Sequence, residues 1–419
     1  MISINSLYNR WSFLKGKKIY VGVSGGVDSV VLMRIFKSFD FDITALHVNY
    51  KLRESESDKD EEFVKVLCEE LNIPLFTKQI DTKKLLDEKG GNLQEVARKI
   101  RYEFYQSFVS QQNDSFFALA HHQDDQVETF FLNLARKSGL RGMSCMLEED
   151  GFKIRPLLNY TKQEIIDFAK IKCWNWREDF SNQSIKYRRN LLRNRLIPEM
   201  KATNPEIQHS VIELIRFFQG NLKDTQNSIE TLFEKVKNTG NIIDSDFLNL
   251  TENQQVELLF QLGFESNDIS SFHKLFSSQK GKFIKLKNRS KVFRESNGFS
   301  FEAYYSKVSF QIINTEVEAL PIHYSKSEFY FDQSKIKGEI RLREWTQGDR
   351  IAPIGLKGSK LISDVLNDSK MAAIERLHWP ILIDDEGILA CPLISVSKEK
   401  VADKNTKKII CIRLERITS

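Results

Sequence analysis

Cysteine is scarce in this chain, with 5 in 419 residues, at Cys68, Cys145, Cys173, Cys391 and Cys411. The number is odd, the spacing is wide and no two form a Cys-x-x-Cys pair. A disulfide framework and the common zinc and iron–sulfur spacings are thereby excluded, and the five are read as ordinary buried thiols. No run of about 18 or more apolar residues occurs, so no membrane span is expected. The opening residues Met1-Ile2-Ser3-Ile4-Asn5 lack the basic-then-apolar layout of a secretion signal, which makes a cytoplasmic location the expectation. Internal repeats and low-complexity linkers are missing too. Charge of one sign barely prevails: 62 Lys and Arg stand against 57 Asp and Glu, net +5. So small an excess decides nothing about partners, and the clustering of charge matters more.

What is present is the composition of a globular protein, 41% hydrophobic and 28% charged. At about 150 residues per domain the length fits two or three domains. The first half alternates in period. Lys18–Val23, Asp42–Val48, Pro74–Ile80 and Ser115–Ala120 read as strands. Val30–Phe39, Asp58–Leu71, Asn92–Phe108 (N-cap Asn92) and Asp124–Arg136 read as helices. Such alternation predicts a parallel sheet covered on both faces, with ligands beyond the carboxyl ends of its strands. From Glu206 to about Phe276 the pattern is mostly helical, then β-rich around 282–286 and 308–313. A further block carries the strand-like runs 339–343, 380–384 and 408–413. The fold class expected is α/β: a parallel-sheet, Rossmann-like domain over residues 1–203, a mostly helical domain over 204–321 and a small α+β domain over 322–419.

Between the first strand and helix lies Ser24-Gly25-Gly26-Val27-Asp28-Ser29. Adjacent glycines let backbone N–H groups approach an oxyanion closely. The serines add hydroxyls, and the helix that follows points its positive end at the same place. Asp28 is a ligand for Mg²⁺ that would neutralise phosphate charge. The Gly-Lys-Ser/Thr ending of a Walker A loop is missing, which argues against γ-phosphoryl transfer. A glycine turn that binds nothing is the bland alternative.

These residues resemble the loop of the PP-loop (N-type, adenine nucleotide alpha hydrolase-like) ATP pyrophosphatases, which adenylate a substrate and release pyrophosphate. Three segments narrow the resemblance: His47-Val48-Asn49-Tyr50-Lys51-Leu52-Arg53, then Asn92–Tyr102, then Ala120–Thr129 with His121, His122, Asp125 and Glu128. Arg155-Pro156-Leu157-Leu158, Glu178–Asn182, Tyr187–Asn190 leading to Arg193 and Pro198, Gly348-Asp349-Arg350 and Gly358-Ser359-Lys360 with Arg376 extend it over almost the whole chain. Together they resemble the tRNA(Ile)-lysidine synthase family. Two positions depart from its pattern: Tyr50, commonly His, and Lys137, commonly Gly.

The resemblance implies use of ATP and Mg²⁺, an isoleucine tRNA with anticodon CAU and free L-lysine as substrates, and neither a membrane nor an obligate protein partner. O2 of the wobble cytidine would be adenylated, and the lysine ε-amine would then attack C2 to give lysidine, changing the codon read from AUG to AUA and the amino acid from Met to Ile. ATP would fall to Ser24, Gly25, Gly26, Val27, Asp28, Ser29, His47, Asn49 and Arg101. The catalytic set would be Asp28, His121 and Arg193. Asp125 and Glu128, three apart on one helix face, suit the ammonium groups of lysine, with Arg98 for its carboxylate. The basic run holding Lys186, Arg188, Arg189 and Arg195 suits a tRNA backbone, as do Lys360 and Arg376 further on.

Each has an ordinary alternative: a solvated acidic face for Asp125 and Glu128, ion pairing with Glu95 for Arg98 and Arg101, strand-end packing for His47 and Asn49, and a solvated basic helix for the run; for the two histidines metal ligation is the sharper alternative. Rival functions are a tRNA thiolation enzyme, which would carry cysteine pairs, a glutamine-dependent synthetase, which would carry a glutaminase block, and a non-catalytic RNA-binding protein.

Overall fold

The computed structural model describes residues 2–51, 55–80, 93–109, 114–178 and 188–417. The chain falls into two compact units, Met1–Lys223 and Asp224–Ser419. The break between them lies inside one continuous helix, Ile207–Thr239.

The first unit opens with α1 (Ile4–Trp11) and β1 (Lys18–Gly22), followed by α2 (Val27–Ser38), β2 (Asp42–Asn49), α3 (Ser55–Leu71), β3 (Leu75–Gln79), α4 (Leu93–Val109) and β4 (Ser115–Ala118). Then come α5 (Gln123–Ala135), α6 (Leu140–Met143), β5 (Glu149–Asp150), β6 (Lys153–Ile154) and α7 (Lys162–Ile171). The strands lie in the order β3-β2-β1-β4-β6-β5. All pairings are parallel except that of the short β5 with β6. This is the expected covered parallel sheet, and its central strands are apolar on both faces for that reason. Ile19 and Val21 pack with Leu32, Phe36, Ile165 and Phe168 on one side. Tyr20, Leu46 and Phe117 pack with Tyr105 and Val109 of α4 on the other.

The strand order reverses between β1 and β4. β1 feeds through α2 to β2 on one side, and the chain later returns to lay β4 on the other. At such a switch point the loops leaving two adjacent strands diverge and open a crevice at their carboxyl ends. Here the two loops are Val23–Gly26 and Leu119–His122.

α5 ends in a left-handed turn. Lys137 has φ +54°, and Ser138 N–H reaches back to Asn133 C=O at 3.0 Å. That closure needs the left-handed conformation, which costs a side-chain-bearing residue about 1–2 kcal/mol. Lys137→Gly should therefore stabilise the unit by about 0.5–1 kcal/mol, net of the greater entropy of an unfolded glycine. A higher urea midpoint at constant denaturant slope is the readout.

The unit closes with α8 (Arg188–Leu191), a π-helical turn over Leu192–Leu196, α9 (Ile197–Thr203) and α10 (Ile207–Thr239). The π turn precedes Pro198, whose missing N–H removes the helical bond to residue 194 and leaves the helix free to widen there.

The second unit continues through β7 (Asn241–Ile243), α11 (Asp244–Leu248), α12 (Glu252–Gln261), α13 (Ser266–Phe276), β8 (Phe283–Lys285), β9 (Lys291–Arg294) and β10 (Gly298–Phe301). Helices and sheet share a core of Ile229, Leu258, Phe272 and Phe299. Beyond it, β11 (Ser309–Val317), β12 (Glu328–Asp332), β13 (Arg341–Glu344), β14 (Arg350–Ile351), β15 (Lys360–Leu361), α14 (Ile362–Asp368), α15 (Ala373–Leu377), β16 (Pro380–Ile383), β17 (Ile388–Cys391), β18 (Ser395–Val396) and β19 (Ile409–Ile417) form an α+β module around Phe331, Trp379, Ile381 and Ile412. The two halves of this unit are joined where the Glu295 carboxylate accepts Ala373 N–H at 2.9 Å and so caps α15. No described helix is long and apolar enough to cross a membrane.

Candidate active site

The loop after β1 is built by its own side chains. Ser29 is buried one turn into α2; its Oγ accepts Ser24 N–H at 3.1 Å and donates to Gly26 C=O at 3.0 Å. Ser24 Oγ accepts Gly26 N–H at 3.3 Å. Ser29 is thus committed to shaping the loop, while Ser24 remains exposed. Gly25 has φ +89°. A Cβ there would find room, 3.5 Å from Phe63 and 3.6 Å from Val64, so torsion rather than space demands glycine. Val27 is buried in the core, and its part at the mouth is limited to its backbone. The first N–H groups of α2 have no intrahelical acceptors, and they face the loop.

The loop is held from outside by a residue the sequence pattern did not single out. Arg177 N–H donates to Gly25 C=O at 3.0 Å, and its guanidinium bonds Asp60 and, at 2.9 Å, Glu56 of α3.

Asp28 lies in the first turn of α2 and faces Lys162 and His122. Lys162 Nζ is 2.7 and 2.8 Å from its two oxygens, and His122 Nε2 is 3.9 Å from one of them. His122 is buried at the start of α5, with Asp125 Oδ2 at 3.5 Å and Asp124 Oδ2 at 3.7 Å. Burial pushes its pKa down, but Asp124, Asp125 and Asp28 together raise it above 6.5. The sign of the linkage follows: stabilisation by the imidazolium is complete below pH 6.5 and is lost as pH rises through the raised value. The stability gap between wild type and His122→Gln should shrink over that window, as urea titrations at stepped pH would show. His121 behaves oppositely. Burial holds it well below 6.5, against the charge of Asp125, so it is neutral near pH 7, with a buried Nδ1 that has no partner. It fits a neutral hydrogen-bonding role beside β4.

Asp125 and Glu128 share the buried face of α5; Glu128 is 1% exposed. Two arginines one helical turn apart close over them. Arg189 reaches Glu128 at 2.6 Å and Asp125 at 2.9 Å. Arg193, inside the π turn, reaches Asp125 and Glu128 through Nη2 at 3.1 Å each and bonds Glu128 again through Nε. From the sequence, Arg193 is expected in the catalytic set and Arg189 on the tRNA backbone; the structure turns both inward onto the carboxylates. The acidic pair is therefore a buried cation seat and not a solvated face.

The other candidates are placed as follows. Asn49 is 1% exposed and fully engaged: its amide donates to Asp58 at 3.0 Å and Glu61 at 2.9 Å, and its oxygen accepts Lys51 N–H at 2.9 Å. This matches the strand-end packing alternative and commits both amide N–H groups of Asn49 to carboxylates. His47 is buried with Nδ1 2.8 Å from Val23 C=O, which makes it the donor and leaves Nε2 an unpartnered acceptor beneath the loop. Burial lowers its pKa. Arg101 stands by Tyr50 and has a buried, unpartnered Nε. Arg98 is exposed and stacks on Tyr102 at 5.2 Å; the Glu95 side chain lies outside the described residues. Lys186 lies outside them as well. Arg188 is exposed, and Arg195 pairs with Glu199 at 3.1 Å. In the second unit Lys360 pairs with Asp368 and Arg376 with Asn367.

Burial pushes Cys68 up to about 11, and Cys145 and Cys391 up to about 12, so these are inert thiols, but Cys173 is exposed, against the expectation that all five are buried. Among the described residues no three His, Cys, Asp or Glu gather as a metal site. The cation-facing carboxylate of Asp28 fits an Mg²⁺ that arrives on nucleotide phosphates.

With this geometry in view, comparison with known proteins is specific. A PP-loop domain model matches residues 2–200, and a TilS substrate C-terminal domain model matches residues 340–415. The tRNA(Ile)-lysidine synthase of Bacteroides thetaiotaomicron is 30% identical over 420 residues, covering 96% of both chains. The proteins of that name from Clostridioides difficile and Bacillus subtilis are each 30% identical, with 96% and 92% of both chains covered respectively. This chain belongs to the tRNA(Ile)-lysidine synthase family.

Proposed function

We propose that the protein joins free L-lysine to C2 of the wobble cytidine of an isoleucine tRNA with anticodon CAU. The observation that carries this reading is that Asp28 of the phosphate loop and the buried Asp125 both stand against His122 Nε2, at 3.9 and 3.5 Å, which brings two differently charged walls together. The phosphate loop and the N-terminus of α2 lie on one side, and the buried Asp125–Glu128 pair lies across the β1–β4 switch point. The first wall suits the phosphates of ATP, and the second suits an amino acid rich in ammonium groups.

In the first step cytidine O2 attacks the α-phosphorus and pyrophosphate leaves. The loop N–H groups bind the terminal phosphates, and neutral His121 stands ready to donate to an α-phosphate oxygen. Asp28 would hold Mg²⁺, which neutralises phosphate charge when bound. In the second step the lysine ε-nitrogen attacks C2, gives up a proton, and AMP leaves. Asp125 and Glu128 hold the ammonium end once Arg189 and Arg193 yield to it. Residues 1–203 form the catalytic part in this reading and 204–321 and 322–419 grip the tRNA, Arg188 and Arg195 contributing tRNA contacts from the first and Lys360 and Arg376 from the last.

The test is stoichiometric. AMP and pyrophosphate should accumulate together only when ATP, lysine and the CAU-anticodon tRNA are all supplied. Lysine-independent turnover with a sulfur donor would replace this reading with tRNA thiolation. Tight tRNA binding without any turnover would replace it with a binding protein.

A further inference from the structure

Lys162 has no counterpart among the residues expected from the sequence, yet it stands closest to Asp28. Its backbone is fixed: its N–H donates to Asp124 Oδ2 at 2.8 Å, and Thr161 and Glu164 cap α7 reciprocally at 3.0 and 3.2 Å. Behind it, Ile165 and Phe168 are anchored in the core with α2. Its side chain is not fixed in this way. It is 40% exposed and rests on Asp28 alone among the described residues. A half-exposed ion pair contributes only about 0–1 kcal/mol, so stability is a weak reason for the placement. His122 already stands against the same carboxylate. The Lys162 ammonium, the His122 imidazole and the positive end of α2 therefore converge on one carboxylate at the mouth of the phosphate loop. Asp124 and Asp125 already answer His122, at 3.7 and 3.5 Å, so the mobile Lys162 ammonium beside the positive end of α2 is the charge left for a polyphosphate.

We infer that Lys162 is a catalytic residue for the nucleotide. Without ATP its ammonium neutralises Asp28. With ATP in the loop the flexible stem carries it to the phosphate chain, and Asp28 is released for its own cation. As cytidine O2 bonds to the α-phosphorus, the bond from that phosphorus to the α–β bridging oxygen breaks and its electron pair leaves with pyrophosphate. Lys162 stabilises the charge that gathers there and neither gains nor loses a proton. The inference rests on the adenylation reading above.

Lys162→Met and Lys162→Arg in the full-length protein test it. Pyrophosphate release with ATP, lysine and the tRNA should fall about 100-fold in kcat for Met, and by less than about 10-fold for Arg, which keeps the charge. Binding of ATP without tRNA, titrated with Mg²⁺, should half-saturate at a lower Mg²⁺ concentration in the Met variant, because Asp28 is uncovered. Melting temperatures should match wild type. Wild-type kcat in the Met variant, or equal losses in both variants accompanied by lower melting temperatures, would overturn the assignment while leaving adenylation intact. A wild-type protein that releases no pyrophosphate would overturn both.

Discussion

Asp28→Ala should abolish pyrophosphate release, with a loss of at least about 1,000-fold, while tRNA binding stays within a few-fold of wild type. The aspartate occupies the first turn of α2 beside the loop formed by Ser24, Gly25 and Gly26, with Lys162 Nζ at 2.7 Å. Its removal takes away the carboxylate through which a phosphate-borne cation would be held, in a site where preorganised charge accounts for most of phosphoryl and nucleotidyl transfer. It also leaves Lys162 without its resting partner. The fold should tolerate the change, because the Asp28 side chain is 24% exposed and the ion pair it loses is a weak one. Measured side by side, Asp125→Ala should retain adenylation and chiefly raise the lysine concentration needed for AMP release. An equal adenylation defect in the two variants would remove the division of labour between the walls of the crevice.

Glu128→Gln should have the second large effect, and on two measurements together. The Glu128 carboxylate is nearly inaccessible and receives hydrogen bonds from both Arg189 and Arg193. Glutamine keeps the shape and loses the charge, leaving two guanidinium groups to share Asp125. Breaking a buried ion pair from one side costs about 3–5 kcal/mol, and the partial exposure of the arginines places this case at about 3 kcal/mol. If the same carboxylates receive the lysine ammonium, kcat/KM for lysine should drop about 100-fold or more, while pyrophosphate release in a single turnover with saturating ATP and tRNA survives. Urea unfolding and single-turnover assays separate the two effects. Loss of stability with unchanged lysine use would make the cluster a purely structural network and send the search for the lysine site elsewhere. The arginines sharpen this test, since a lysine ammonium entering between Asp125 and Glu128 must displace at least one guanidinium.

Much of this was legible in the linear chain, because the information is local. Buried parallel strands such as Lys18–Gly22 and Asp42–Asn49 announce themselves as short apolar runs. Helices such as α2 and α5 show their period, and Ser24–Ser29 joins a strand to a helix with glycine where φ must be positive. The spacing of Asp125 and Glu128 places them on one face of α5 before any fold is known. Partners distant in sequence were not legible. Nothing about Lys162, 134 positions from Asp28, marks it as a neighbour of the phosphate loop, and nothing marks Arg177 as the clasp on Gly25. Asn49 stood at the end of a strand in a motif and looked like a ligand contact, yet packing gave its amide to Asp58 and Glu61. Arg189 and Arg193 read as a basic surface because charge in sequence says nothing of direction. Only the packing of α8 and its π turn against α5 aimed them inward. The sequence by itself determined the elements, the loop and the chemical inventory, since backbone propensity and side-chain period act over a few residues. The strand order that sets β1 beside β4, and with it the crevice and the ion pairs within it, was decided by the tertiary structure, because burial and charge pairing act across the whole first unit.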